Sequence, residues 1–327
     1  MPGFITHYIC GQSILKNTTS NVKDIIKKYE GIYNIGTQGP DMFFYYIPGH
    51  FKKSTQFLGL KMHKSNTQLF AESLIKHTQE LNEEDKEIAI AYVAGYLTHY
   101  ALDANTHPYI YYKTGFRKKG DCSPKYSLYH RKFETSIDIL LLKLLNGKKT
   151  SKRKMWEVLK SEFREYDVIS KLLVKAIEES HGRVISESSM RSCIKYMVNL
   201  NRFLNMKPGS SEMVPELLED LTIGECRYNE LLNLQYFRDN LDYFNLDKKT
   251  WYNPWDDSVE YNSSFIDLYN EGIKESKSFV EASFECIYNN MTTEEFVSYV
   301  GNKSLSSGLD CNMDLDWKFH DIIFVNN

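Results

Sequence analysis

Apolar residues recur at intervals of three and four along most of the chain, and alternation of period two is almost absent. This spacing places apolar side chains on one side of an α-helix and not on one face of a strand. The pattern therefore predicts an all-α fold. The predicted helices cover residues 4–17, 21–29, 63–81, 83–107, 130–145, 169–180, 186–205, 213–220, 224–235, 261–289 and 293–301, with a loop at 251–258 and an irregular carboxyl end.

The segment 91–107 is mostly apolar or small, yet it carries His99, Asp103 and His107 at intervals of four. In a helix these side chains form one stripe, because each step of four turns by only about 40°. Two imidazoles and a carboxylate are costly to bury without compensation. We expect a divalent metal ion to compensate them, with a structural hydrogen-bond network as the alternative. Pro108 predicts that the helix ends at His107.

The rise of the helix limits how many ions this stripe can serve. Neighbouring members are separated by about 6 Å, which one ion can bridge, but His99 and His107 are separated by about 12 Å. The stripe therefore predicts at least two metal sites, or one metal site and one stripe residue that binds no metal. Asp103 stands between the two histidines and is the natural bridging carboxylate.

Further nitrogen and carboxylate donors occur in the first 134 residues. One histidine lies near the apolar stripe of the first helix, an aspartate follows a Gly-Pro turn, and a His/Glu pair has helical spacing. Such donors suit zinc. The candidate ligands are His7, Asp41, His63, His99, Asp103, His107, His130 and Glu134.

The composition of the 327-residue chain, 42% hydrophobic and 25% charged, is that of a globular protein. A net charge of −3 gives no strong overall field toward nucleic acid or an anionic bilayer. Six scattered cysteines without a CxxC pair argue for reduced thiols. The amino-terminal segment lacks signal-peptide features, and no apolar run of about 20 residues exists to span a membrane. We expect a cytoplasmic protein.

We also expect one all-α domain over residues 1–327. Its first part, 1–147, bears all the candidate ligands, whereas 148–327 contains helices without a chemical signature. The oligomeric state stays open at this point.

The order of the candidate ligands resembles the zinc-dependent phospholipase C family and, more distantly, the S1/P1-type nucleases that share its fold. The resemblance implies a multi-helix bundle with two or three zinc ions in its core. It is carried by the segments THYICG (6–11), GPDMFFYY (39–46), GLKMH (59–63), THYALDANTH (98–107) and YHRKFE (129–134).

By this resemblance the ligands divide among three ions, and Asp41 doubles as general base. The secreted members of the family expose an amino-terminal tryptophan that binds zinc, whereas this chain begins Met1-Pro2-Gly3. The implied sets are Asp41, His63, His99 and Asp103 for one ion, His107, His130 and Glu134 for a second, and His7, Asp103 and the chain's amino terminus for a third.

The resemblance implies hydrolysis of a phosphodiester, with phosphate esters, phospholipids among them, as substrates. A nuclease of the S1/P1 type is one alternative, but it requires a basic groove with aromatic stacking platforms, which the net charge does not favour. The other alternative is a zinc-stabilised helical binding or scaffold protein in which every coordination position is closed.

Overall fold

The structure of the protein, a computed structural model, describes residues 3–46, 52–116, 125–146, 155–204 and 240–324, together with the pairs 222–223 and 226–227. Helices dominate these residues, which confirms the all-α prediction. The α-helices are α1 (Phe4–Asn17), α2 (Ser20–Lys28), α3 (Glu30–Gly36), α4 (Lys52–Met62), α5 (Thr67–Gln79), α6 (Glu83–Thr114), α7 (Lys125–Asn146), α8 (Phe163–His181), α9 (Glu187–Leu204), α10 (Phe265–Ile287) and α11 (Thr293–Val300).

Two short 3₁₀ helices, Gly39–Phe44 and Met155–Leu159, connect α-helices in the first two thirds of the chain. The described strands form two antiparallel pairs. One pair joins β1 (Thr222–Ile223) to β2 (Cys226–Arg227), and the other joins β3 (Trp251–Asn253) to β4 (Asp256–Tyr261).

Helix α6, 32 residues long, is the element against which most others pack. Asn82 begins it by accepting a hydrogen bond from the Asp85 backbone, and three acidic residues in the first turn complement the helix dipole. Helix α3 crosses α6 at Gly36 and Gly95, where the two backbones touch and a Cβ on either glycine would overlap the other helix. Helix α10 packs along the far side of α6.

The prediction that the central helix ends at His107 is wrong, because α6 continues through Pro108 to Thr114. Proline removes one helical hydrogen bond and leaves the Ala104 carbonyl without its donor. Gly308 packs directly onto that carbonyl, since a Cβ built on Gly308 would overlap the Ala104 oxygen. Tertiary packing on both sides of Pro108 therefore outweighs the local preference of proline.

The prediction of one helix over 63–81 is also wrong. Helix α4 ends at Met62, and α5 begins at Thr67 after a turn in which Asn66 adopts a left-handed conformation with φ of 55°. The His63 backbone N–H still donates to the Gly59 carbonyl at 3.2 Å, so His63 continues the last turn of α4.

The loop predicted at 251–258 is a hairpin instead, with Trp251 paired to Tyr261 and their rings stacked at 4.6 Å. Only a few positions pair, which is too short a stretch for alternation to be visible in the sequence. The helix predicted at 224–235 is contradicted at Cys226–Arg227, which is a strand, and the rest of it lies outside the described residues. The predicted helix 213–220 also lies outside them.

Buried apolar side chains form two clusters that meet along α6. The larger includes its residues up to Ala101, and the smaller includes Leu102, Tyr109 and Ile110 with Trp251 from β3. The stripe of candidate ligands therefore lies where the two clusters meet. Within the part of the chain that the structure describes, no helix has the length and apolar character needed to cross a bilayer.

Candidate metal centre

The carboxylate of Asp103 is fully buried and surrounded by four imidazoles. Its Oδ1 lies 3.2 Å from His7 Nε2, and its Oδ2 lies 3.1 Å from His99 Nε2. The same Oδ2 lies 3.5 Å from His107 Nδ1 and 3.8 Å from His63 Nε2. The predicted bridging position of Asp103 is thus the geometric centre of the cluster.

Five separate elements bring the candidate ligands together. Helix α6 carries the stripe of His99, Asp103 and His107. The other four elements are α1 with His7, the first 3₁₀ helix with Asp41, the end of α4 with His63, and α7 with His130 and Glu134. The donor atoms form three groups, within each of which all atoms lie within 4.8 Å of one another. The groups are His7, Asp41 and His99; His63, His99 and Asp103; and His107, His130 and Glu134.

This grouping can be compared with the three sets that the resemblance implies. His99 and His107 fall in different groups, as the helical rise predicts. The third group contains the residues of the implied second set. His7 contacts Asp103, as implied, but also groups with Asp41 and His99, and Asp41 Oδ1 lies 3.0 Å from His63 Nε2. The implied amino-terminal ligand at Met1 or Pro2 lies outside the described residues.

Several donor atoms of the cluster lack hydrogen bonds to any described residue. They are both oxygens of Asp103, both ring nitrogens of His7, and the Nε2 atoms of His99 and His107. The contacts of the histidines with Asp103 are those of close ion pairs, at 3.2 Å for His7 and 3.1 Å for His99. A hydrogen-bond network would satisfy these atoms, and leaving a buried polar atom unsatisfied costs about 1–3 kcal/mol. The donor set and its unsatisfied atoms instead fit divalent ions such as zinc.

The electrostatics of Asp103, His7 and His107 favour the protonation states that bind a metal. Burial alone would raise the pKa of Asp103, but His107, His99 and His7 hold it well below its usual range. Burial lowers the pKa of His7, and it lowers the pKa of His107 to about 3. Burial opposes protonation of His99 too, yet Asp103 and Asp41 raise its pKa. An ionised carboxylate beside neutral imidazoles is the form that coordinates a metal.

The third group lies at the junction of α6 and α7. His130 Nε2 is 2.7 Å from Glu134 Oε1, and His107 Nε2 is 3.9 Å from the same oxygen. Burial holds the pKa of His130 well below its usual value and raises that of Glu134. His107 Nδ1 donates to the carbonyl oxygen of Leu305, which directs the lone pair of Nε2 toward the group.

Leu305 also supports a second candidate ligand. Its backbone N–H donates to the His63 carbonyl at 2.8 Å, and the Ser304 hydroxyl donates to the same oxygen at 3.2 Å. His63 Nδ1 contacts the Gly59 carbonyl at 2.6 Å, which leaves Nε2 for Asp41 and the cluster. Ser304 and Leu305 belong to the loop 301–309, which we call the supporting loop. Sequence reasoning missed this loop, because its contacts to the candidate ligands are mostly made by backbone groups.

Asp138 was not among the candidate ligands, although it stands four residues after Glu134 on the same face of α7. Its carboxylate accepts hydrogen bonds from Ile5 N at 3.2 Å, Thr6 N at 2.8 Å and Thr6 Oγ1 at 2.6 Å. Burial raises its pKa to about 7. Asp138 therefore fixes the start of α1, the helix that carries His7.

Aromatic residues from the carboxyl-terminal part cover one side of the third group. The Tyr111 ring lies 4.6 Å from His130, and Trp255 and Trp317 lie 5.4 and 6.3 Å from Tyr111. Phe116 stacks on Trp317 at 5.4 Å. Trp255 and Trp317, from the part of the chain without a chemical signature, thus join Tyr111 of α6 in an aromatic wall beside the candidate ligands.

Comparison with known proteins identifies one family. The family model described as zinc dependent phospholipase C matches residues 6–196, more than half of the chain. The match contains all eight candidate ligands, whereas Leu305, Trp255 and Trp317 lie beyond it. No curated protein and no solved structure matches the chain.

Proposed function

The chain belongs to the zinc-dependent phospholipase C family, and on that premise we propose that it hydrolyses a phosphodiester bond of a phospholipid-type substrate. The observation that carries the proposal is the set of buried donor atoms at Asp103, His7, His99 and His107 that have no hydrogen-bond partner among the described residues. Burying such a cluster is costly unless its atoms are paired or coordinate an ion.

We assign the zinc ligands from the three donor groups. Asp103 would contribute to more than one ion, since Oδ1 lies 3.2 Å from His7 and Oδ2 lies 3.1 Å from His99. Each group contains three residues, with His99 shared by two of the groups, and zinc sites with three protein ligands typically keep an open position for water or substrate. The open positions favour a catalytic centre over a closed structural one. The proposed ligands are His7, Asp41, His63, His99, Asp103, His107, His130 and Glu134.

Bound zinc would supply a nucleophilic water near neutral pH and offset the negative charge of the phosphate. The residues of the chain have separate tasks. The neutral imidazoles of His7, His107 and His130 keep their lone pairs available for coordination. Asp103 holds two groups at a fixed spacing, and the Leu305 carbonyl orients His107.

Asp41 is the proposed general base. Its side chain retains slight solvent exposure, 4% for the residue, whereas Asp103 retains none. Oδ1 of Asp41 is engaged with His63 at 3.0 Å, so Oδ2 is the oxygen that would take the proton of the attacking water. The aromatic wall of Tyr111, Trp255 and Trp317 would exclude bulk water from one side of the reaction.

The test compares hydrolysis of p-nitrophenylphosphocholine and bis-p-nitrophenyl phosphate by wild type, Asp103→Asn and Asp41→Asn. Asp257→Asn is the matched control, because Asp257 makes a half-exposed ion pair with Lys318. We expect Asp103→Asn to lose activity by about 10³-fold or more together with zinc. Asp41→Asn should lose about 10²- to 10⁴-fold in activity and at most one zinc ion, because Asp41 belongs to one donor group. The Asp257→Asn control should keep both its hydrolytic activity and its bound zinc.

Two results would redirect the proposal. Wild-type protein that binds zinc stoichiometrically and turns over no phosphate ester would be a zinc-stabilised scaffold. Preferential cleavage of single-stranded nucleic acid over p-nitrophenylphosphocholine would instead indicate a nuclease of the same fold.

A further inference from the structure

The outer face of α4 exposes large apolar side chains. Gly59 lies on the inner face against Phe43 and Phe44 of the 3₁₀ helix that carries Asp41. On the opposite face Phe57 is 68% exposed and Leu60 is 48% exposed. Single exposed apolar residues are common on protein surfaces, so these two gain meaning only from what surrounds them.

A surface pocket of about 200 Å³ opens beside Phe57, between α4 and the turn that follows α8. Two of its lining residues are cations, Lys61 and Arg183, and none carries a carboxylate. Val184, which follows Arg183, is 73% exposed. The pocket is lined by Ser54, Phe57, Leu58, Lys61, His181, Gly182 and Arg183.

The two cations of this pocket differ from other cations nearby. Lys61 donates to the His181 carbonyl and Arg183 donates to the Ser54 hydroxyl, and in the described ranges neither has a carboxylate within ion-pair distance. Arg164 and Arg191, on α8 and α9, both form ion pairs. The charges of Lys61 and Arg183 are therefore available to an external anion.

We propose that Phe57, Leu60, Lys61, Arg183 and Val184 form a docking face for an anionic lipid surface. The apolar side chains would enter the boundary between head groups and acyl chains, and the two cations would contact lipid phosphates. The overall charge of −3 provides no general attraction to such a surface, so docking depends on this local arrangement. The inference rests on the proposed function and extends it, because it places the substrate in a membrane.

Helix α4 connects the docking face to the candidate metal centre, because His63 directly follows its last residue. Phe57 and His63 are about 9 Å apart along α4, given the rise of a helix. Lys64 lies over the Phe116 ring at 4.5 Å, and Phe116 contacts Tyr111 at 5.4 Å. Tyr111 in turn contacts His130, so a row of contacts leads from the end of α4 to the third donor group.

Vesicle sedimentation measures binding to lipid independently of hydrolysis, and it tests the docking face directly. Wild type is compared with Phe57→Ser/Leu60→Ser and Lys61→Glu/Arg183→Glu on phosphatidylcholine vesicles with and without phosphatidylserine. We expect the apolar pair to weaken binding about tenfold or more. The charge pair should weaken it about tenfold and remove the preference for anionic lipid, as high salt should also do.

Matched controls separate the local face from general surface effects. Leu246→Ser changes a residue that is 66% exposed elsewhere, and Lys274→Glu/Lys277→Glu makes the same change of net charge on α10. Both controls should bind as wild type does. All variants should hydrolyse soluble p-nitrophenylphosphocholine at the wild-type rate, since none of these residues belongs to the metal centre.

The proposal is overturned if wild type ignores anionic vesicles, if it binds neutral and anionic vesicles equally, or if the controls lose binding as the test variants do. A wild-type dimer that dissociates in Phe57→Ser/Leu60→Ser and binds no vesicle would show that a second copy covers this face. Vesicle binding by a protein that cleaves no ester supports the docking face and overturns only the catalytic proposal.

Discussion

Asp103 and Ser304 are both buried polar residues, but they differ in whether the chain itself supplies their hydrogen-bond partners. The Ser304 hydroxyl donates to the His63 carbonyl at 3.2 Å and accepts from the backbone of Ser306 at 3.2 Å and of Ser307 at 3.3 Å. Both carboxylate oxygens of Asp103 lack a hydrogen-bond partner among the described residues. A buried polar group that hydrogen-bonds within its own chain stabilises the fold. A buried cluster without such hydrogen bonds costs free energy unless a ligand compensates it.

Other residues of the supporting loop also hydrogen-bond within the chain, as Ser304 does. Tyr100 donates its hydroxyl to the Gly301 carbonyl at 2.8 Å and accepts from Lys303 N at 2.8 Å. Thr67 donates to the Lys303 carbonyl at 2.9 Å. The loop is thus a hydrogen-bonded support that holds His63 and His107 from behind. The contrast predicts that zinc contributes strongly to the stability of the cluster around Asp103 and much less to that of the supporting loop.

Removal of zinc should have the largest effect. A ligand that binds only the folded state adds about 4 kcal/mol at a concentration 1,000 times its Kd. We therefore expect chelation to lower the melting temperature of wild type strongly, and to change that of Asp103→Asn by a much smaller amount. Calorimetry of both proteins with and without chelator measures this. Equal shifts in the two proteins would show that Asp103 does not hold the ions.

Gly308→Ala should produce the next largest loss. Gly308 has φ of +69°, and an added Cβ would overlap the Ala104 carbonyl. We expect a loss of about 2–4 kcal/mol in the free energy of unfolding, with or without zinc, because the strain does not depend on the metal.

Gly182→Ala is the matched control for this substitution. Gly182 has φ of +63°, but nothing lies within 4 Å of its added Cβ, so only the backbone cost of about 1 kcal/mol should remain. Denaturant unfolding compares the two variants. Equal losses would mean that packing on Ala104 contributes nothing.

Asp138 gives a smaller effect with a defined dependence on pH. Burial raises its pKa from 3.8 to about 7, so the folded state keeps a proton that the unfolded chain releases. The associated stability is complete below about pH 4 and is lost as the pH rises through 7. We expect zinc-free Asp138→Asn to lack this decline between pH 4 and 7. Identical pH profiles of stability in the two proteins would contradict it.

The smallest effect should come from a surface ion pair. Arg164 contacts Glu84 and Asp85, and the Arg164 side chain is 51% exposed. Arg164→Ala should change the free energy of unfolding by less than about 1 kcal/mol, because exposed ion pairs are weak and screened. A larger loss in denaturant unfolding would show that exposed polar contacts matter as much as the buried ones compared above.

Much of the half that carries the candidate ligands could be predicted from sequence because its signals are local. His99, Asp103 and His107 share a helical stripe among apolar neighbours, and His130 and Glu134 share another. The position of His63 could not be predicted, since no glycine or proline marks the break between α4 and α5. The continuation of α6 past Pro108 depends on packing against Gly308, a contact between residues 200 positions apart.

The supporting loop shows a second limit of sequence reasoning. Leu305 engages His107 across 198 residues through a backbone carbonyl, and every residue type offers such a group. Neither side-chain chemistry nor spacing could therefore single it out. The docking face escaped notice for a similar reason, because Phe57 and Arg183 come together only when α4 packs beside the end of α8.

The zinc content of purified protein tests the central claim most directly. Wild type, Asp103→Asn and Asp257→Asn are saturated with zinc, dialysed against metal-free buffer and measured by mass spectrometry. The three donor groups predict two or three zinc ions per chain in wild type and in Asp257→Asn, and at most one in Asp103→Asn. Less than one zinc ion per wild-type chain would contradict the account.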